Sequence, residues 1–114
     1  MVPGKYNIVC PQGSTFTKRF TYHIDESPVN LTVYTARMQV RETHSSEAKV
    51  FDLTTENGGI ILGGSLGTIN LTISATNTAA VVAKDYVYDL ELVNGSVVTR
   101  IVEGKFIVTP EVTR

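Results

Sequence analysis

The chain has 114 residues, 42% of them hydrophobic, and ten Lys and Arg against eleven Asp and Glu give a formal charge of −1. That length holds one core but not two, and the hydrophobic fraction argues against disorder. The scattered, balanced charge supplies no basic field for a phosphate backbone, which argues against nucleic acid as a partner.

Apolar runs extend over a few residues only, far short of a membrane span, and the opening MVPGKYNIV has no basic region followed by an apolar core. The expectation is a soluble chain without a secretory signal and without a membrane partner. Residues 6–9 read as a short first strand ended by a turn at Pro11-Gln12-Gly13. Cys10 is the only cysteine, so no intramolecular disulfide forms. Lying between Val9 and Pro11, it reads as a buried, inert thiol, in keeping with synthesis in a reducing cytoplasm.

From residue 15 to 24 the pattern places Phe16, Tyr22 and Ile24 on one side, with Phe20 in the same register. Lys18 interrupts that register, which indicates either a partly buried face or a bulge near Arg19. Asp25-Glu26-Ser27-Pro28 is a polar turn. Residues 30–41 form a strong strand, with Tyr34, Ala36, Met38 and Val40 on the core face and Thr35, Arg37, Gln39 and Arg41 on the other. A polar loop covers residues 42–48, and residues 50–54 form a short strand carrying Phe51 and Leu53. Turns at Asn57-Gly58-Gly59 and at residues 63–67 flank Ile60-Ile61-Leu62. Residues 68–73 alternate with Ile69, Leu71 and Ile73 inward. Ser74 is placed to cap a short helix over residues 75–83, which needs the sheets to stabilise it and links strands of opposite sheets.

Residues 86–108 form the dominant element, a long hairpin. Tyr86, Tyr88, Leu90 and Leu92 share one face, Asn94-Gly95 suits a two-residue type I′ turn, and Gly104 suggests a β-bulge in the returning arm. Short strands at this spacing predict an all-β fold: a single domain over residues 1–114, built as an immunoglobulin-like antiparallel β-sandwich with one short helix between strands. Residues 1–11 are expected to form an N-terminal arm and residues 109–114 a tail. An open barrel is the main alternative.

Little chemistry is legible. His23 and His44 have no partner at a metal-ligand spacing. Ser45, Ser46 and Glu47 lack a serine elbow. The glycines between Gly58 and Gly67 fit neither a P-loop nor a dinucleotide fingerprint. Asp85, Asp89, Glu91 and Glu103 can gather on the hairpin, but Arg100 and Lys105 lie beside them and favour a solvated charged face over a calcium site. The Asn-x-Ser/Thr triplets at Asn30, Asn70 and Asn94 matter only in a eukaryotic secretory protein. The expectation is a protein that is not an enzyme, with no catalytic residue, cofactor or metal.

Four stretches carry a resemblance: GSTFTKRFTY, NLTVYTARMQVR, LTTENGGIILGGSLGTINLTISATNTAAV and YVYDLELVNGSVVTRIVEGKFIVTPEVTR. Together they resemble small proteins of bacteriophage and prophage tail and structural modules. The chain is similar in build to the immunoglobulin-like adaptor domains of siphophage baseplates, including the N-terminal domain of the lactococcal baseplate upper protein. Val33 stands where a turn glycine often precedes the tyrosine, and Lys84 where a glycine often precedes the last long strand.

The resemblance implies a virion protein of the tail, made in the bacterial host cytoplasm. It would form a homo-oligomeric ring or collar at the tail tip or baseplate and anchor tail fibres or receptor-binding proteins. It has no catalytic residues to carry over. Exposed sheet edges and extended termini are the physical means for such contacts. The candidate assembly residues are Met1, Val2, Pro3 and Tyr6 in the arm, Arg37, Gln39 and Arg41 on the second strong strand, and Thr109, Pro110, Glu111 and Arg114 in the tail. Alternatives are a capsid decoration or neck protein and a module binding host-surface carbohydrate. The last ranks lowest, because the chain has no tryptophan to stack on a sugar.

Overall fold

A computed structural model describes residues 4–113. Met1, Val2, Pro3 and Arg114 lie outside the described residues. The elements in chain order are β1 (Gly4–Lys5), β2 (Ile8–Pro11), β3 (Phe16–Thr21), β4 (His23–Ile24), β5 (Ser27–Pro28), β6 (Thr35–Arg41), β7 (Phe51–Thr54), β8 (Ile60–Leu62), β9 (Thr68–Ile73), α1 (Ala75–Ala79), β10 (Asp85–Asn94) and β11 (Val97–Thr109).

Period-two alternation builds the long strands and decides which face is inward. In β10, Tyr86, Tyr88, Leu90 and Leu92 are buried, as are Ala36, Met38 and Val40 in β6 and Ile69, Leu71 and Ile73 in β9. These faces meet between two sheets. The larger runs β1-β11-β10-β6-β7, with β2 following β1 along the same edge of β11, and the smaller runs β3-β9-β8. The order β3-β9-β8 opposite β11-β10-β6 reproduces the B-E-D and G-F-C strand orders of the immunoglobulin-like sandwich. Phe106, fully buried, stands at the centre of the core, with the rings of Phe16, Phe51 and Tyr88 at 5.7, 5.6 and 6.4 Å.

The structure corrects several local expectations. The pairing is not wholly antiparallel, since β1 and β2 run parallel to β11. Residues 4–11 are therefore no free arm. Tyr6 N–H donates to the Glu103 carbonyl at 3.0 Å, and Ile8 and Cys10 are buried core residues. The β10–β11 turn lies one residue later than expected: Asn94 pairs with Val97, leaving Gly95-Ser96 as the loop, with Gly95 at φ 62°. A positive φ at the first loop position alone is the type II′ pattern.

The bulge in β11 also moves. Leu90 pairs with Val102 and Glu91 with Arg100, so Ile101 is the extra residue, while Gly104 pairs directly with Tyr88. Glycine is needed at 104 because the chain crosses there: a Cβ would lie 2.2 Å from the Tyr6 carbonyl oxygen. Nor is there a bulge near Arg19, since β3 pairs with β9 in unbroken register. Lys18 fits on the inward side because its ammonium reaches out to the Tyr6 hydroxyl at 2.7 Å and lies 4.5 Å from the ring centroid. The aliphatic stem of a lysine buries readily when the charge finds such an outlet. Ile24, expected inward, is 51% exposed, because β4 leaves the sheet to pair with β5.

The strand that includes Arg37 starts at Thr35, and the preceding turn closes with Tyr34 N–H on the Leu31 carbonyl at 3.0 Å. Neither Val33 nor Lys84 has a positive φ, so neither position needs glycine. The helix spans residues 75–79 only, with Ser74 accepting from Asn77 N–H at 3.2 Å. It is anchored by Thr78, fully buried, whose hydroxyl donates to the Ser14 carbonyl at 2.8 Å and accepts from Gly13 N–H at 3.1 Å.

Two stability predictions arise here. Asp25 and Glu26 form the β4–β5 turn with φ of 51° and 68°, a conformation in which a Cβ is costly. Glu26→Gly is expected to stabilise the chain by about 0.5–1 kcal/mol, the steric gain less the extra chain entropy of glycine, measured as a denaturant midpoint. Burial pushes the Cys10 thiol up to about 11, from about 9. The thiol ionises near 9 in the unfolded chain and near 11 in the folded one, so its contribution is complete below pH 9 and is lost as pH rises to 11. Burial also raises the Tyr86 and Tyr88 hydroxyls, which act in the same direction. Folded protein at pH 8 should alkylate with iodoacetamide only as fast as it opens; prompt labelling in native buffer contradicts this.

Candidate functional site

The outward face of the larger sheet is built by the residues that alternate with the core. Strand register sets them in rows. One row runs Asp52, Gln39, Asp89, Glu103, Lys5 across five strands, and the next runs Thr54, Arg37, Glu91, Arg100. The expected polar strip of Arg37, Gln39 and Arg41 therefore forms, and the hairpin acids stand beside it.

The side chains are ordered by ion pairs and hydrogen bonds. Arg37 Nε lies 2.7 Å from Glu91 Oε1. Arg100 reaches Asp89 at 3.4 Å and Glu103 at 3.2 Å, and Lys5 also pairs with Glu103. Lys105 lies 4.0 Å from Asp85, and Lys84 pairs with Glu42 across the end of the sheet. Arg41 donates to the Ser46 and Glu47 carbonyls at 2.7 and 2.6 Å and to Gln39 Oε1 at 2.7 Å. It thus fastens the polar loop of residues 42–48 to the sheet.

Asp89 and Glu103 face each other directly, an arrangement of like charges that costs stability unless a cation intervenes. The bulge at Ile101 sets Arg100 where it serves both carboxylates. Even so, burial and then Glu91 raise the Asp89 carboxyl above its usual range, with Arg100 opposing them. Hydrogen bonding from Lys5 lowers that of Glu103. Exposed pairs of this kind contribute about 0.2–1 kcal/mol each, so they fix a surface pattern more than they hold the fold. A depression of about 240 Å³ bounded by Gln39, Arg41, His44, Asp89, Arg100 and Glu103 lies on this face.

The other candidates do not join the strip. Tyr6 projects toward the smaller sheet, its ring 5.5 Å edge-on from Phe20 and its hydroxyl on Lys18. Thr109, Pro110 and Glu111 lie at the end of β11, where Gln12 N–H donates to the Thr109 carbonyl at 2.9 Å and Glu111 N–H to Gln12 Oε1 at 3.1 Å. His23 and His44 are exposed.

Sequence reasoning missed Asn57. Its side chain donates to the Asp52 carbonyl at 2.9 Å and accepts from Thr54 and Gly59 N–H, both at 2.9 Å, so it closes the outer edge of β7 as a substitute strand. The Asn-Gly-Gly turn marked the place, but nothing local said that the amide folds back on its own strand.

No family model matches the chain, and no curated protein matches it in sequence.

Proposed function

We propose that this chain is a bacteriophage virion structural protein of the tail tip or baseplate. It is a non-catalytic adaptor that forms a ring or collar with further copies of itself and anchors tail fibres or receptor-binding proteins. The observation supporting this reading best is the outer face of the larger sheet. Arg37, Gln39 and Arg41 stand there beside Glu91, Asp89 and Glu103; charge alternates along the Arg37-Glu91-Arg100 row, and ion pairs and hydrogen bonds order these side chains before any partner arrives. Such a prearranged polar face suits subunit contacts, because charge complementarity sets orientation and register more than raw affinity. The resemblance in sequence supplies the location; a sandwich fold alone does not specify a function.

The tyrosines favour this reading over sugar binding. Tyr86 and Tyr88 are buried in the core, and Tyr6 is turned toward Lys18 and Phe20.

The test is to delete the gene from the phage or prophage that encodes the chain and to purify the particles made. The expected result is capsids and tails that lack fibres and do not adsorb, with the protein present in wild-type particles by mass spectrometry. Infectious particles with a full fibre complement overturn the proposal.

A further inference from the structure

We propose that the outer edge of β3 receives the segment following β11, residues 110–113, from a neighbouring copy of this chain. The inference rests on the ring-forming reading above and names the contact that would build the ring.

The backbone phase shows the open edge. Gly63 N–H donates to the Thr68 carbonyl at 2.8 Å and Thr72 N–H to the Gly59 carbonyl at 2.9 Å, so these β9 residues serve β8. Tyr22 N–H donates to the Gly67 carbonyl at 2.8 Å, which puts Phe16, Lys18 and Phe20 in phase with β9. Thr17, Arg19 and Thr21 therefore aim N–H and C=O away from the sheet, and among the described residues no strand pairs with them. The other edges are closed or short. On β2, Pro11 has no N–H and its carbonyl accepts from Ser14 at 3.3 Å. Asn57 covers β7, and β8 has only three residues. An uncovered edge is a template for another strand.

Charge selects the occupant. Pairing two β3 edges antiparallel about Arg19, a register the outward N–H and C=O groups allow, sets Arg19 against Arg19 of the second copy, which disfavours that symmetric dimer. An acidic strand is favoured. Residues 110–113 carry Glu111, whose N–H donates to Gln12 Oε1 at 3.1 Å and whose carboxylate lies against Gly13, contacts that the exchange must release, while Val112 is 91% exposed. Strand alternation sends Val112 and Glu111 to opposite faces. Val112 then enters the groove of about 340 Å³ lined by Ile8, Pro11 and Phe16, while Glu111 lies beside Arg19. A donor segment on one copy and an acceptor edge on the next make a head-to-tail contact, the kind that closes into rings.

The test is backbone amide exchange by NMR on the full chain from micromolar to millimolar concentration. Exchange at Thr17, Arg19 and Thr21 should slow as concentration rises, while Thr54, whose N–H on the β7 edge donates to Asn57 Oδ1, stays constant. Arg19→Glu should abolish the concentration dependence, and adding Glu111→Arg to it should restore it. Exchange at β3 independent of concentration, or failure of the charge swap to restore it, overturns the inference. A chain found in virions with a silent β3 edge leaves the ring reading standing without this contact. Protection at β3 in a chain absent from virions supports the contact and removes the tail assignment.

Discussion

Phe106→Ala is expected to cost about 3–5 kcal/mol, a large part of the total for a domain of this size. Phe106 is fully exposed to its neighbours and not at all to water: the rings of Phe16 from the smaller sheet, Phe51 from β7 and Tyr88 from β10 lie between 5.6 and 6.4 Å from it. Truncation removes the apolar area of the ring, the edge-to-face contacts and the support that three strands share. Neighbours in well-formed ladders collapse only partly into the space. Phe106→Leu keeps much of the volume and should cost less than half as much. Both are read as denaturant midpoints at unchanged slope. A loss under about 1 kcal/mol for the alanine variant contradicts the assignment of Phe106 as the centre of the core.

Gly104→Ala should be almost as damaging, although it adds one methyl. That methyl would lie 2.2 Å from the Tyr6 oxygen and 2.9 Å from its carbonyl carbon, both backbone atoms that cannot turn aside. The crossing segment must lift, and with it go the bond from the Tyr88 hydroxyl to the Tyr6 carbonyl at 2.7 Å and the bond from Lys105 N–H to Asn7 Oδ1 at 3.1 Å. Overpacking and buried polar loss together place the cost at about 2–4 kcal/mol. The first sign should be faster amide exchange at Tyr6 and Ile8, before global unfolding. Gly4→Ala is the matched control, since its added carbon meets only the Ile101 carbonyl at 3.5 Å. Equal stability of the two variants would contradict the close crossing.

The inward faces of β6, β9 and β10 were legible because period two depends only on neighbours in sequence and decides burial directly. The fold class followed from the same periodicity. What escaped depends on contacts between distant segments. Gly104 looks like a bulge until Tyr6, far away in sequence, is seen to cross it. Lys18 looks like a break in the pattern until the Tyr6 hydroxyl supplies a place for its charge. The N-terminal segment resembles a loose arm because its partner, β11, is the last strand of the sandwich. Asn94-Gly95 fits a type I′ turn by residue type, and only the observed pairing of Asn94 with Val97 moves the loop to Gly95-Ser96. Within the candidate surface, the grouping of Arg37, Gln39 and Arg41 was readable from alternation. Their acidic partners were not, because the register between β6 and β10 is a tertiary property.

Cryo-electron microscopy of intact particles from the phage or prophage encoding this chain tests the central proposal most directly. The proposal predicts density for the sandwich in a ring at the tail tip, with the Arg37-Gln39-Arg41 face against a neighbouring subunit or a fibre base. Density confined to the capsid or neck, or particles without the chain, would contradict it.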